Sequence, residues 1–400
     1  RSCWSRSELT SRIAPGHPAA IMMLVATSSF ALHFSGRAAA TLKNGGRSTV
    51  TMAADLKMPT PLTQLEQMAT MTTLSIDTGD LDIIESYGKS GLITDATTNP
   101  LFVAQAGLSG DKRYIAFVDS ALGYAREHAE GAEAQLELSM DRLAVELGLE
   151  IVKLVPGYVS TEVDIRASFD TEESVRRARR IIDMYEAAGV DRSRILIKLA
   201  GTWEGIAAAR ILEKEGITCN ITLIFGFIQA VAAAQAGARL ISPFPGRIKD
   251  WHGANGGEAT YPPGEDPGVL CVARMHAYYK RHGHERTICM PASWRPSRGT
   301  SDPAFAIDEI VALAGVDRMT IPPPLLEQLA ASCEPLERKL EPAAAAAACP
   351  DALVGEGDIS ESEFRLALNA DVCATTKMAE GINAFVAETL KLEASLRSKL

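Results

Sequence analysis

The sequence lacks the features that mark several classes of protein. No apolar stretch in its 400 residues approaches the roughly 20 residues that a membrane helix needs. Its net charge is -10, whereas non-specific nucleic-acid-binding proteins are usually basic. Its seven cysteines form no CxxC pair and are odd in number, which favours reduced thiols over a disulfide framework or a zinc site. We therefore expect no membrane span, no nucleic-acid partner and no structural metal.

Acidic residues are almost missing from the first 54 residues. This segment contains Glu8 as its one acid, against six lysines and arginines, and many serines, threonines and alanines. Such a composition is typical of organelle transit peptides. We predict a transit peptide or leader over residues 1–58 that directs the protein to the plastid stroma, with the mitochondrion or the cytoplasm as alternatives. A disordered leader without an address, or a signal peptide around "IMMLVATSSFAL", is also compatible with the sequence.

From residue 59 onward, short apolar runs alternate with longer amphipathic stretches, as in parallel β/α units. The predicted strands are 73–77, 92–98, 158–163, 195–200, 218–223, 240–243, 287–293 and 319–322. Eight strands predict the α/β class, with residues 59–400 forming one (β/α)8 TIM barrel. An open doubly wound sheet is the alternative, but it more often has a glycine-rich phosphate loop after its first strand. The segment "SIDTGD" (75–80) is not such a loop.

Three segments lie outside this alternation. The alanine-rich stretch 340–358 is low in complexity and predicts a linker or loose loop. The stretch "WRPSRGTSDPAF" (294–305) predicts a polar loop. Residues 360–397 predict additional C-terminal helix, packed on the outside of the barrel or over one of its ends.

One lysine lies inside an apolar run, "ILIKLAGTWEG" (195–205). Side chains alternate along a strand, so if Lys198 points into the barrel, Leu196 and Ala200 do too. Burial disfavours the charged ammonium, and a neutral amine attacks carbonyl carbons to form Schiff bases. The alternative is a buried stem whose amine reaches solvent or pairs with a carboxylate.

Polar residues recur where the other predicted strands end, and catalytic groups in such barrels come from these ends. They are Asp77, Asn99, Glu162, Asn220, Thr222, Ser242, Arg247, Ser293 and Arg295. Each has an ordinary alternative, such as a helix cap for Asp77, a turn at "TTNP" or a solvated charge for Arg247. Grouped around one lysine, they favour an active site that handles carbonyl compounds.

These segments resemble transaldolase of the long classical type, a family of class I Schiff-base enzymes. The resemblance runs from about 62 to 395 and is weaker near 294–306 and 335–358. Its segments are "IDTGD" (76–80), "DATTNP" (95–100), "LEIVKLVPGYVSTEVD" (149–164), "RILIKLAGTWEGI" (194–206), "GITCNITLIF" (216–225), "AGARLISPFPGRIKDWH" (236–252), "EDPGV" (265–269) and "MTIPPPLLEQL" (319–329).

The resemblance implies four catalytic residues. Lys198 would form the Schiff base with fructose 6-phosphate or sedoheptulose 7-phosphate. Asp77 would take the proton from the C4 hydroxyl as the C3–C4 bond breaks. Glu162 and Thr222 would hold a water for proton transfer. The protonated imine is the electron sink, so the resemblance implies neither a metal nor another cofactor.

The resemblance also implies the substrate-binding residues. Asn99, Asn220 and Ser242 match positions that hydrogen-bond the dihydroxyacetone hydroxyls. Arg247, Ser293 and Arg295 match the phosphate grip, because guanidinium forks suit a phosphate dianion. The expected partners are therefore sugar phosphates, and a homodimer is possible.

One aromatic position bears on the type of reaction. Phe244 matches transaldolases, whereas the related fructose-6-phosphate aldolases have a tyrosine there that helps to activate water. A phenyl ring cannot deliver that proton, which favours transfer over simple cleavage.

Several positions depart from the family pattern, although none removes a catalytic group. They are Tyr158, Gly201, Gly226, Trp294 and a lengthened loop after Arg295. Arg298 is an alternative to Arg295 at the phosphate position. Cys219 is expected to point away from the site, since Asn220 points into it.

We consider three other functions and set the third aside. A Schiff-base aldolase would release free dihydroxyacetone, so product formed without an acceptor would distinguish it from a transferase. A barrel without catalysis would serve as a scaffold, but the retained catalytic set speaks against this role. A nucleotide-dependent oxidoreductase would need a GxGxxG motif between a strand and a helix, which the sequence lacks.

Overall fold

The computed structural model describes residues 61–354 and 357–400. Within these residues, eight parallel strands form one sheet in the order β7-β6-β5-β4-β3-β2-β1-β8. The strands are β1 (Thr73–Asp77), β2 (Ile93–Thr97), β3 (Val159–Glu162), β4 (Ile195–Ala200), β5 (Cys219–Ile224), β6 (Leu240–Pro243), β7 (Ile288–Cys289) and β8 (Arg318–Ile321). Thr320 N donates to Pro291 O at 3.2 Å, which joins the two outer strands. The predicted (β/α)8 barrel is confirmed, while the predicted leader lies outside the described residues.

Helices follow the strands and form the outer layer. Their bounds are α1 (Gln64–Ala69), α2 (Leu81–Gly88), α3 (Pro100–Leu108), α4 (Lys112–His128), α5 (Ala132–Leu154), α6 (Thr171–Ala187), α7 (Trp203–Lys214), α8 (Phe227–Gln235), α9 (Pro245–Ala254), α10 (Pro267–Arg281), α11 (Asp308–Ala312), α12 (Pro323–Ala331), α13 (Pro342–Ala348), α14 (Glu361–Ala370) and α15 (Val372–Arg397). In the described part of the chain, no helix is long and apolar enough to cross a bilayer.

Strands β4 and β5 are buried at every residue, as expected for a barrel covered by helices. A small apolar cluster of Leu196, Leu240 and Met290 is separate from the main core. Ile197 and Cys219 belong to the main core between strands and helices. Because side chains alternate along a strand, Lys198 lies on the same side of β4 as Leu196. Cys219 lies on the opposite face of β5 from Asn220, as predicted.

The prediction of a long seventh strand over 287–293 is wrong, because β7 contains two residues. Its pairing to β6 continues beyond them, since Met290 N donates to Ile241 O and Ala292 N donates to Pro243 O, both at 2.9 Å. Pro291 lacks an N–H, and Ser293 has a φ of 63°, so the extended conformation ends there. The strand therefore turns early and directs the following loop across the barrel end.

The prediction of a linker or loose loop over 340–358 is wrong for its first part. Residues 342–348 form α13, which packs against α10. Glu341 accepts a hydrogen bond from Ala344 N at 2.9 Å as the N-cap, and Pro342 occupies the first turn. Alanine has the highest helix propensity, so low complexity here favoured a helix rather than a loop.

The C-terminal helix α15 covers one end of the barrel, as expected for residues 360–397. It packs against β5, α3, α9 and a 3₁₀ segment, Ile165–Phe169. Three of these elements begin just after strands β2, β3 and β6. The helix therefore crosses the C-terminal end of the barrel, where such barrels place their active sites.

Candidate active site

A cavity of about 200 Å³ opens at the C-terminal end of the barrel. Seven of the eleven predicted site residues line it: Asp77, Asn99, Lys198, Ser242, Phe244, Arg247 and Ser293. A larger cavity of about 770 Å³ lies beside α10 and α12 and contains Arg298, whose guanidinium pairs with Asp308. We assign the candidate site to the smaller cavity because it contains the buried lysine.

Lys198 is buried, with 5% of its surface exposed. Its Nζ lies 3.1 Å from Glu162 Oε2 and donates to Thr98 O at 3.2 Å. Glu162, Lys198 and Asn220 are register partners across β3, β4 and β5, so the sheet places them side by side. Burial raises the pKa of Glu162, and the positive charge of Lys198 opposes that rise. The amine is thus held inside the barrel and does not reach solvent.

Asp77 ends β1 and also lines the cavity. Thr97 Oγ1 donates to Asp77 Oδ1 at 2.7 Å and lies 2.7 Å from Thr320 Oγ1. Burial raises the pKa of Asp77, while the Thr97 hydrogen bond and the charges of Lys198 and Arg247 partly oppose this shift. Sequence reasoning missed both threonines, although each lies on a predicted strand.

Glu162 and Thr222 present unused hydrogen-bonding atoms. Within the described part of the chain, Thr222 Oγ1 and both Glu162 carboxylate oxygens are buried without a directed hydrogen-bond partner. Glu162 Oε2 contacts Lys198 Nζ at 3.1 Å, so Glu162 Oε1 and Thr222 Oγ1 are the two atoms left without a partner among the described residues. Buried polar atoms of this kind usually bond to a water or a ligand.

Asn220 and Ser242 form a buried polar pair. Ser242 Oγ donates to Asn220 Oδ1 at 2.9 Å, and Asn220 Nδ2 donates to Ser160 Oγ at 3.2 Å. Asn99 has a structural role as well, because its Oδ1 accepts from Phe102 N at 3.1 Å and caps α3. The sequence offered a turn as the alternative at Asn99; in the structure this residue is a helix cap that also lines the cavity.

The predicted phosphate residues lie at one edge of the cavity. Arg247 Nε donates to Ser293 Oγ at 3.2 Å, and both residues line the cavity. Arg295 does not line it: its Nε donates to Asp250 Oδ2 at 3.0 Å. Burial and the nearby charge of Arg295 lower the pKa of Arg247. The two guanidinium groups repel each other, and a bound anion would offset that repulsion.

Aromatic rings form the apolar part of the wall. Phe244 is buried against the edge of Phe225, with ring centroids 5.6 Å apart, and the Arg247 guanidinium carbon lies 5.0 Å from the Phe244 centroid. Phe385 of α15 also lines the cavity, with its centroid 6.0 Å from Lys198 Nζ. Sequence reasoning missed Phe385, because no local pattern shows where a C-terminal helix docks.

Comparison with known proteins identifies the family. A family model described as Transaldolase/Fructose-6-phosphate aldolase matches residues 74–396. The chain belongs to the transaldolase/fructose-6-phosphate aldolase family. Proteins named Transaldolase from Alteromonas mediterranea and Marinobacter nauticus are each 48% identical to it and cover 84% of this chain. The alignments span 98% and 97% of those proteins. A Transaldolase from Shewanella amazonensis is 47% identical over 336 residues. The prediction of an enzyme of this family is confirmed.

Two departures from the transaldolase pattern meet at one glutamine. Gln229 Nε2 donates to Gly201 O at 2.8 Å, and Gln229 Oε1 accepts from Gly226 N at 2.9 Å. A Cβ on Gly201 would lie 2.7 Å from Ile224 Cδ1, and one on Gly226 would lie 2.8 Å from Ala374 Cβ. A side chain at either position would be too close to these neighbours, so the glycines allow close packing behind β4 and β5.

The other departures are also structural in this chain. Trp294 Nε1 donates to Thr320 O at 2.8 Å and so helps to join the loop after β7 to β8. Tyr158 packs against the interior cluster, and the Arg318 guanidinium carbon lies 5.1 Å from its ring centroid. Neither residue lines the candidate site.

The described residues contain no group of three or more His, Cys, Asp or Glu side chains arranged to hold a metal ion. The polar groups of the cavity are an amine, a carboxylate, hydroxyls, an amide and a guanidinium. This set suits the binding and covalent chemistry of a phosphorylated carbonyl compound.

Proposed function

We propose that this chain is a transaldolase that transfers a dihydroxyacetone unit between sugar phosphates through a Schiff base on Lys198. The observation that carries the proposal is the buried amine, which lies 3.1 Å from Glu162 and shares one cavity with Asp77. The relatives named Transaldolase support the type of reaction.

In the first half-reaction, the Lys198 ammonium gives a proton to Glu162, 3.1 Å away. The neutral Nζ then attacks the keto carbon of fructose 6-phosphate or sedoheptulose 7-phosphate, and a water leaves as the imine forms. The unused atoms of Glu162 and Thr222 hold the water that carries protons in this step. The C3–C4 bond then breaks, and its electron pair passes into the protonated imine. Asp77 takes the proton from the C4 hydroxyl, and its raised pKa suits it to acid–base work.

In the second half-reaction, the retained three-carbon enamine attacks the aldehyde carbon of erythrose 4-phosphate or glyceraldehyde 3-phosphate. Asp77 returns its proton to the new hydroxyl, and hydrolysis of the imine frees Lys198. Asn99, Asn220 and Ser242 bind the hydroxyls of the three-carbon unit. The buried Ser242–Asn220 bond, 2.9 Å long, would hold both groups in fixed orientations.

The phosphate of either sugar binds at the edge formed by Arg247 and Ser293. Arg295 pairs with Asp250 in the structure. It would leave this carboxylate to bind the phosphate, which carries more charge. Arg298 is less suited to this role because it pairs with Asp308 in the larger cavity.

Phe244 favours transfer over release of free dihydroxyacetone. Its ring is buried at the cavity and carries no proton to donate to a water. The alternative function, a fructose-6-phosphate aldolase, belongs to the same family and would use the same lysine.

The subcellular location and the oligomeric state of the protein stay predictions. The relatives are bacterial and do not support a plastid location, whereas they are compatible with the cytoplasmic alternative. The homodimer is likewise a prediction.

The test is to incubate the protein with fructose 6-phosphate, with and without erythrose 4-phosphate, and to measure sedoheptulose 7-phosphate and free dihydroxyacetone. We expect ketose consumption to depend on the acceptor, and the Asp77→Asn variant to lose about 10²- to 10⁴-fold in kcat. Equal consumption without acceptor would indicate the aldolase. A folded protein that consumes no ketose would refute the proposal.

A further inference from the structure

We propose that Phe385 is a specificity-determining residue whose ring shields the Lys198 imine from water. It thereby sets how often the bound three-carbon unit is transferred to an acceptor aldehyde and how often it is released by hydrolysis. This inference rests on the proposed Schiff base. Phe385 is 8% exposed and lines the cavity with Lys198, although it belongs to the C-terminal helix and not to the barrel.

The position of α15 is fixed where it crosses β5. A Cβ on Gly381 would lie 2.7 Å from Leu223 Cδ2 and 3.6 Å from the terminal nitrogen of Arg247. Glycine is less favourable than alanine within a helix, so its presence here reflects the close approach of helix and barrel. Phe385 lies four residues further on and therefore projects from the same face of α15 as Gly381.

A second contact holds the later part of α15. Arg166 donates to Glu393 Oε2 at 2.5 Å and pairs with Asp164 at 2.6 Å. Asp164 lies two residues after Glu162, so this contact ties the helix to the end of β3. Phe385 lies between these two contacts along α15 and lines the cavity, with its ring centroid 6.0 Å from Lys198 Nζ.

The chemistry of the enamine explains why an apolar ring beside the imine would affect the reaction. For unproductive release, the enamine carbon takes the proton that Asp77 holds after the C3–C4 cleavage, and a water adds to the iminium carbon. The C–N bond then breaks, dihydroxyacetone leaves, and Nζ regains its electron pair. For transfer, the enamine carbon instead attacks an aldehyde. An apolar ring near Nζ offers no hydrogen bond to a water, so it slows the first route more than the second.

The test measures the ratio of dihydroxyacetone release to transfer in wild type, Phe385→Leu, Phe385→Ala and Leu390→Ala. Leu390 is an exposed residue of the same helix and serves as the matched control. We expect the ratio to rise about tenfold in Phe385→Ala and about threefold in Phe385→Leu, since exclusion of water at the imine is lost in part. The control should keep the wild-type ratio.

Borohydride trapping on each protein separates this inference from the function on which it rests. A wild type without a Lys198 adduct would refute the proposed function. Adducts in all proteins together with unchanged ratios in both Phe385 variants would refute the role of Phe385 alone. If Phe385→Ala does not fold, the ratio in Phe385→Leu decides the question.

Discussion

Lys198 and Glu162 form a buried ion pair in which Nζ and Oε2 are 3.1 Å apart and both side chains are less than 10% exposed. The two residues are direct register partners on β4 and β3. A buried charge is costly unless it is paired, and the charge of Lys198 opposes the rise that burial causes in the pKa of Glu162. The pair explains how the barrel accommodates a lysine inside an apolar strand.

A double-mutant cycle tests this pairing. Lys198→Met or Glu162→Gln should each lower the free energy of unfolding by about 3 kcal/mol, because each leaves one unpaired polar or charged partner inside the barrel. The double variant should be more stable than the sum of the two losses predicts. Urea unfolding of the four proteins measures these values. Strictly additive losses would show that the two charges do not stabilise each other.

The hydrogen bond from Thr97 to Asp77 should set the acid limb of the pH–rate profile. The proposed base must be ionised, so the rate falls as the pH falls through the pKa of Asp77. Removal of a hydrogen bond that lowers this pKa, as in Thr97→Val, should move the acid limb to higher pH. Thr218→Val is the control, since Thr218 bonds to Ile195 O at the far end of β4. An acid limb that stays in place, or moves to lower pH, would contradict the assignment.

Asp77 should also reduce stability at neutral pH. Burial raises its pKa above 3.8 in the folded protein. Between 3.8 and the raised value, the folded state binds more protons than the unfolded state, so stability falls as the pH rises. Asp77→Asn should therefore unfold at a higher temperature than wild type at pH 7, with the difference shrinking towards pH 4. Thermal unfolding at several pH values checks this, and a variant less stable than wild type at pH 7 would count against it.

Several parts of the fold and of the candidate site could be predicted from the sequence. The fourth strand was predictable because Ile195, Leu196 and Ile197 form an unbroken apolar run, and Lys198 was conspicuous within it. Polar residues at other strand ends could be grouped because parallel strands bring their C-terminal ends together. The register of Glu162 with Lys198 then followed from the sheet itself.

Long-range docking and short loops could not be predicted in this way. Phe385 approaches Lys198 only because α15 folds back over the barrel, and its local pattern is that of any core aromatic. The pairing of Arg295 with Asp250 likewise depends on how the loop after β7 turns. For the segment at α13, low complexity suggested a loop, while helix propensity and the Glu341 cap determined the outcome.

Ser293 is held in a conformation that favours glycine, with a φ of 63°. Backbone strain of this kind costs about 1–3 kcal/mol and is common at active sites. Ser293→Gly and Ser293→Ala both remove the hydroxyl that contacts Arg247, but only glycine relieves the strain. The glycine variant should be the more stable of the two by about 1 kcal/mol. Both should show a raised KM for phosphorylated donors. Equal stabilities in chemical denaturation would contradict the strain argument.

The proposed function depends on an imine between Lys198 and a ketose phosphate. The most direct measurement is to incubate the protein with fructose 6-phosphate, reduce it with borohydride and map the added mass by peptide sequencing. We predict a three-carbon adduct on Lys198 and none on the Lys198→Met variant. A folded wild-type protein that carries no adduct, or carries it on another lysine, would contradict the claim.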